Sequence, residues 1–199
     1  PQTKILRVYN SINIRLTVTN GAAFSSFKSG TKIIPEFAKI YENRFLNAAQ
    51  MLGRYEPSGE EGNMLILCYG EFMDEMQPFV DWKISTGMPV EMRDIAEAGS
   101  QYADIRTFIQ NYYETNGLTF LLLVGDNAQI PAGYRNGPSD NYYSYLDGDD
   151  HYPEILVGRF SAETESQVAT QVQKVLDYER DPYMENTEWY KTVTGIASK

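Results

Sequence analysis

Four carboxylates crowd into eight residues of the segment LDGDDHYPE, at Asp147, Asp149, Asp150 and Glu154. Like charges at that density repel unless they are solvated or share a cation. Several hard oxygen donors, mixed with backbone carbonyls, suit calcium better than zinc or magnesium. The acidic spacing and the glycine position do not match an EF-hand, so the alternatives on residues alone are a calcium loop of another kind or a plain acidic turn. Asp126, in LLLVGDN, is a second candidate. It follows an apolar run, Thr119 to Val124, that is too short for a typical helix and is bounded by Gly117 and Gly125. A continuous apolar run of this length predicts a strand covered on both faces. Asp126 then lies just past a strand's C-terminal end, where open parallel sheets bind ligands and display catalytic groups. The same stretch joins that strand to the acidic loop and then to a second strand, so two strand ends and a candidate cation site are expected to meet there.

Cys68 and His151 are the single residues of their types, which invites a nucleophile–base dyad. The local sequence argues otherwise. Cys68 sits inside MLILCY, where apolar surroundings raise a thiol's pKa and suppress its nucleophilicity. His151 stands between Asp150 and Tyr152 in a polar loop, which suits a solvated or loop-bracing role. One cysteine excludes an intramolecular disulfide and leaves the redox compartment unread.

The elements that must position these groups follow from periodicity. Residues 12–18 alternate as a half-buried strand, with Ile12, Ile14, Leu16 and Val18 on one face. Residues 35–52 read as one amphipathic helix opening at Pro35, with Phe37, Ile40, Tyr41, Phe45 and Leu46 at helical spacing. The stretch GRYEPSGEEGN, residues 53–63, reads as an exposed linker and the clearest boundary in the chain. Strand and helix then alternate: a strand at 64–69, a helix from near Pro78 to Gly87, a strand at 89–95, a helix over 101–115 and the strand at 119–124. Pro153 is expected to open the next strand, and a helix capped by Ser161 to run to Arg180. Its apolar stripe is Val168, Val172, Val175 and Leu176, with Glu163 and Glu165 in its first turn. A further strand is expected within YKTVTGIAS, leaving the sheet unfinished. This grammar predicts an α/β fold with a parallel sheet and flanking helices.

Composition narrows the function classes. The chain has 199 residues, 42% of them apolar and 22% charged, as in ordinary folded domains. A net charge of −10 without a basic cluster argues against nucleic acid, whose affinity comes from grouped Lys and Arg. No apolar run reaches membrane-spanning length, and the opening PQTKILRVYN does not read as a signal peptide. Neither glycine pattern for binding nucleotide phosphates occurs at a strand end.

Taken together, FVDWKISTGMPVEM (79–92), LLLVGDNAQIPA (121–132), VLDYERDP (175–182) and the stretch 118–160 resemble the front part of the gingipain-type cysteine peptidases, a secreted bacterial family. The resemblance spans roughly residues 54–198, with several motifs in order. It implies a caspase-like, incomplete α/β sheet and hydrolysis of peptide bonds by a Cys-His dyad, after Arg or Lys in the family. The family's dyad comes from later segments, so no catalytic residue is expected within this chain. Carry-over of the family's calcium loop nominates Asp147, Asp150, Tyr152 and Glu154, with Asp147 contributing its carbonyl, and Asp126 as ligand of a second calcium. In the family's zymogens the mature enzyme starts after an Arg with a Tyr-x-Pro opening. Arg54 and Tyr55 are therefore the expected cleavage junction. Residues 1–54 would be the tail of an activation propeptide and 55–199 the N-terminal α/β part of the peptidase. The implied partners are protein or peptide substrates and the remainder of the peptidase domain, outside the cell or at its surface. Two rival readings are a non-catalytic member kept for binding or secretion, and an unrelated doubly wound domain that binds a small molecule.

Overall fold

The computed structural model describes residues 32–53, 56–57, 62–134, 137–148, 152–193 and 195. The expected strand at 12–18 and the Arg54–Tyr55 junction lie outside them. Lys32–Ile33 (β1) pairs in parallel with Glu56–Pro57 (β2). Between them run the helices Pro35–Arg44 (α1) and Ala48–Leu52 (α2).

The single helix expected over 35–52 is thus two helices. Phe45 leaves helical geometry at φ −114°, ψ 127°, although its N–H still reaches the Tyr41 carbonyl at 3.0 Å. Phe and Asn are weak helix formers, and α1 has no buried residue to hold another turn against a core. Leu46, expected on the apolar stripe, is fully exposed. The expected exposed linker also closes tightly at its far end: Gly62 is buried, and a Cβ there would meet the Thr119 side chain at 2.5 Å.

Beyond Gly62 the order of elements is Met64–Cys68 (β3), Met73–Ser85 (α3), Val90–Asp94 (β4), Tyr102–Asn116 (α4), Phe120–Val124 (β5), Leu156–Phe160 (β6) and Glu165–Arg180 (α5). The four longer strands form one sheet, all parallel, in the order β4-β3-β5-β6. The expected parallel α/β fold is the observed one. Side chains of the central strands alternate between two buried faces. Leu65, Leu67, Leu121 and Leu123 pack with Ile105 and Ile109 of α4 and with Ile130, Tyr143 and Leu146 of the β5–β6 connection. Ile66, Cys68, Leu122 and Val124 pack with Met76, Phe79 and Val80 of α3 and Val168, Val172 and Leu176 of α5. A constant crossover hand places helices on opposite faces when the chain moves outward to β4 and then back past β3 to β5.

Three boundaries differ from expectation. α3 begins at Met73, after a 3-10 turn, and carries Pro78 inside it. Pro78 has no N–H to give the Asp74 carbonyl, and both residues are exposed. α5 begins at Glu165 with Thr164 as N-cap, its hydroxyl accepting from Gln167 N at 3.4 Å, because the Ser161 hydroxyl is engaged elsewhere. β6 begins at Leu156 rather than at Pro153; of the stretch expected as a final strand, Tyr190 and Lys191 belong to a 3-10 turn, Glu188–Lys191, Thr192 and Val193 lie in no strand, and residues 194 and 196–198 are outside the described set.

Candidate functional site

Asp126 and the acidic loop occupy opposite edges of the sheet. Asp126 follows β5 at the C-terminal edge, whereas Glu154 precedes β6 at the N-terminal edge, where Leu156 N bonds to Thr119 O at 2.8 Å. With about 3.3 Å per strand residue, the two carboxylates are roughly 20 Å apart along the strands. The expectation that both strand ends meet at one cation site is therefore wrong. Parallel pairing of β5 with β6 requires their connection to travel back along the whole sheet.

At the C-terminal edge, Asp126 is built into a turn. Its carboxylate accepts from Ser161 Oγ at 2.7 Å, and its N–H reaches Ala162 O at 2.8 Å. The Ser161 hydroxyl, the Asn127 N–H and the positive charge of Arg159 all hold its carboxyl below the usual aspartate range. Beside it, Arg159 of β6 grips the loop. Its Nε and Nη2 donate to the two oxygens of Asp140, each at 2.7 Å, and its Nη1 donates to Gly125 O at 2.8 Å and Ile130 O at 3.0 Å. The sequence reading missed this clamp. Its signal was an arginine two residues after Val157 on a core-facing strand, a position that requires partners.

Cys68 ends β3 with no exposed surface. Burial, reinforced by the charges of Asp94 and Glu75, pushes its thiol up to about 12. A neutral, enclosed thiol is not a nucleophile. In the native protein Cys68 is expected to resist iodoacetamide at pH 8 and to react fully in denaturant; rapid labelling of the folded chain contradicts its burial. The sign of the linkage is fixed as well. The unfolded thiol ionises near 9 and the folded one near 12, so this group lowers stability as pH rises through that window.

At the N-terminal edge, Glu154 folds back over its own loop. Its Oε2 accepts from Leu146 N at 2.7 Å and Asp147 N at 3.2 Å, and its N–H donates to Ser144 O at 2.9 Å. Gly148 takes φ +73°, a turn that a side chain would strain. Asp147 and Tyr152 are exposed, and Asp150, with Asp149 and His151, lies outside the described residues. The half-buried Tyr113 hydroxyl is pushed up, first by burial and then by the charges of Glu154 and Asp147. The loop therefore carries a negative potential and hard oxygen donors, a chemistry that fits calcium. Among the described residues, no three His, Cys, Asp or Glu side chains converge as a complete metal set.

A parallel sheet packed on both faces, with acidic groups in the loops at both ends of its strands, defines an α/β unit of the doubly wound type. The family model for Peptidase family C25 matches residues 58–199. The chain belongs to this family, the gingipain-type cysteine peptidases. It is 35% identical to gingipain R1 of Porphyromonas gingivalis over 207 aligned residues, which cover 100% of this chain and 20% of that protein. Gingipain R2 of the same organism is also 35% identical, with 100% of this chain and 28% of the relative covered. The chain thus spans less than a third of the length of these relatives. Among solved structures, the Arg-specific cysteine proteinase gingipain R superposes with a TM-score of 0.58 at 35% identity, over 64% of this chain and 31% of that one. A complex of the Porphyromonas gingivalis RgpB pro- and mature domains gives the same TM-score at 35% identity, over 60% and 30% of the two chains.

Proposed function

We propose that the chain is the N-terminal portion of a secreted, gingipain-like cysteine endopeptidase zymogen that cleaves peptide bonds after arginine. The observation carrying this reading is 35% identity to gingipain R1 across the whole chain. The buried Cys68 supports placing the nucleophile in another segment. In the proposed reaction a thiolate adds to the scissile carbonyl while a histidine protonates the departing amine, and water then hydrolyses the acyl-enzyme. Residues 62–193 would supply the scaffold and one rim of the substrate cleft. Calcium would be held by Asp150 and Glu154 with the carbonyls of Asp147 and Tyr152, since a neutral phenol is a poor ligand for a hard cation. The fixed Glu154 carboxylate supports this assignment. A second calcium at Asp126 is proposed on the family resemblance alone, with Asp126 Oδ1 accepting from Ser161 Oγ.

Activation would cut between Arg54 and Tyr55, at the junction between α2 and β2. The test uses the protein extended by the segments its relatives carry after the matched region, expressed in its zymogen form. N-terminal sequencing of the processed product should return Tyr55. Arginyl reporter amides should be hydrolysed at least tenfold faster than lysyl ones in kcat/KM, and Cys68→Ala should leave that value within twofold. A product beginning far from Tyr55 removes the propeptide assignment. Absence of hydrolysis at any basic residue favours the non-catalytic reading.

A further inference from the structure

We propose that the cavity at the C-terminal end of α5 is a binding site for an arginine side chain presented by a peptide segment of another protein. The proposal is independent of the calcium and protease readings above. The cavity has a volume of about 550 Å³, and Asp177, Tyr178, Asp181, Pro182, Tyr183 and Trp189 are among the residues lining it. Tyr178 and Trp189 meet edge to face, with ring centroids 5.7 Å apart. Trp189 Nε1 donates to Tyr183 O at 3.0 Å, which folds the segment after α5 back on itself and fixes the indole. Tyr178, Tyr183 and Trp189 nevertheless remain 56%, 59% and 38% exposed, so aromatic surface is open to a ligand.

Charge selects the ligand. Among the described residues no basic side chain lines the cavity, whereas Asp177 and Asp181 both do. Asp177 accepts from Gln173 Nε2 at 2.6 Å, a neutral donor that leaves the negative charge uncompensated. Asp181 makes no side-chain hydrogen bond or ion pair with any described residue. Pro182 has no N–H to give the Tyr178 carbonyl, and a helix C-terminus carries negative partial charge of its own. The cations nearest in sequence are turned elsewhere: the Arg180 guanidinium lies 4.6 Å from the ring centroid of Trp82, and Lys191 Nζ pairs with Glu188 at 2.7 Å. Exposed rings beside carboxylates are complementary to a cation seated on an aromatic face. The next patch of the same surface makes this combination within the chain, with Arg180 on Trp82 and Glu179 accepting from the indole N–H at 2.7 Å. A guanidinium fits better than an ammonium, because one planar group stacks on a ring and offers a donor fork to a carboxylate. The open shape suits one side chain of a peptide rather than a small molecule, which needs a cleft that buries most of its surface.

The blocked peptide acetyl-Gly-Gly-Arg-Gly-Gly-amide is titrated into the full chain while the two indole N–H signals are followed by NMR, assigned with Trp82→Phe. The Trp189 signal should move saturably and the Trp82 signal, covered by Arg180, should stay. Citrulline in place of the peptide's arginine keeps shape and N–H groups without the charge, and should raise the Kd about tenfold or more; lysine should raise it about fivefold. Tyr178→Leu in the protein should raise it about tenfold. If that variant does not fold, the double variant Asp177→Asn with Asp181→Asn, which leaves every ring in place, decides: a tenfold rise supports the proposal and an unchanged Kd overturns it. No movement of the Trp189 signal up to about 10 mM peptide overturns it, as does citrulline, lysine or Tyr178→Leu binding equal to the parent pair. Dimerisation in sedimentation that Tyr178→Leu abolishes would assign the cavity to a second copy of the chain and overturn the proposal as well.

Discussion

Replacing Arg159 with alanine is expected to destabilise the protein by about 3 kcal/mol, at the lower end of the range for breaking a buried ion pair from one side. The pair is enclosed but not sealed, with side-chain exposures of 13% for Arg159 and 29% for Asp140. The loss has three parts: a carboxylate without its fork, and the Gly125 and Ile130 carbonyls without their donor. For a chain of this size, about 3 kcal/mol corresponds to a fall in Tm of roughly 6–12 °C. Lysine cannot restore it, since one ammonium cannot span a bidentate carboxylate and two carbonyls from the same stem. Asp140→Asn should cost less, because the amide oxygen still accepts. The double variant Arg159→Ala with Asp140→Ala should cost less than the sum of the single changes. A loss below about 1 kcal/mol for Arg159→Ala would show the clamp to be ornamental. The consequence is local as well as global: Gly125 O is the acceptor immediately before Asp126, so the clamp sets the start of the loop at the C-terminal edge of the sheet.

How far the sequence announced this arrangement depends on which interaction set each feature. The runs MLILC and FLLLV read as doubly covered strands because burial on both faces removes polar alternation, and both lie in the middle of the sheet. The stripe of α5 was equally plain: Val168, Val172 and Leu176 are buried as its spacing requires. The start of α5 was less readable, because Ser161 and Thr164 are both good caps and the choice was made by Asp126, a residue far away in the chain. The break after Arg44 has the same character. A helical stripe in sequence requires a surface to lie on, and α1 buries none of its residues. The acidic loop was legible as a cluster of charge, but its separation from Asp126 was not. That separation depends on β5 and β6 being parallel neighbours, a fact of topology rather than of any residue in the loop. The Arg159 contact with Asp140 is a long-range pairing of the same kind, joining residues 19 positions apart.

The second large effect concerns the ion. At a hundredfold excess of calcium over its Kd, the protein should gain about 2.7 kcal/mol, a rise in Tm of roughly 5–10 °C by the same scaling. Magnesium at equal concentration should do less, since it demands a stricter octahedron and gives up water reluctantly. Glu154→Ala should act twice. It abolishes the calcium increment, and it destabilises the calcium-free protein by about 1–3 kcal/mol, because it strands the N–H of Leu146. Leu146 is only 3% exposed, so water cannot readily replace the carboxylate. Glu154→Gln separates the two effects: its amide oxygen can still accept from Leu146, but it lacks the charge that attracts a divalent cation. Stability in chelator should recover in Glu154→Gln while the calcium increment stays absent. Asp150→Ala should likewise abolish the increment. Superimposable melting curves in calcium and chelator for the unmodified chain would refute the calcium assignment. A Glu154→Gln variant that still gains the full increment would show that other groups hold the ion.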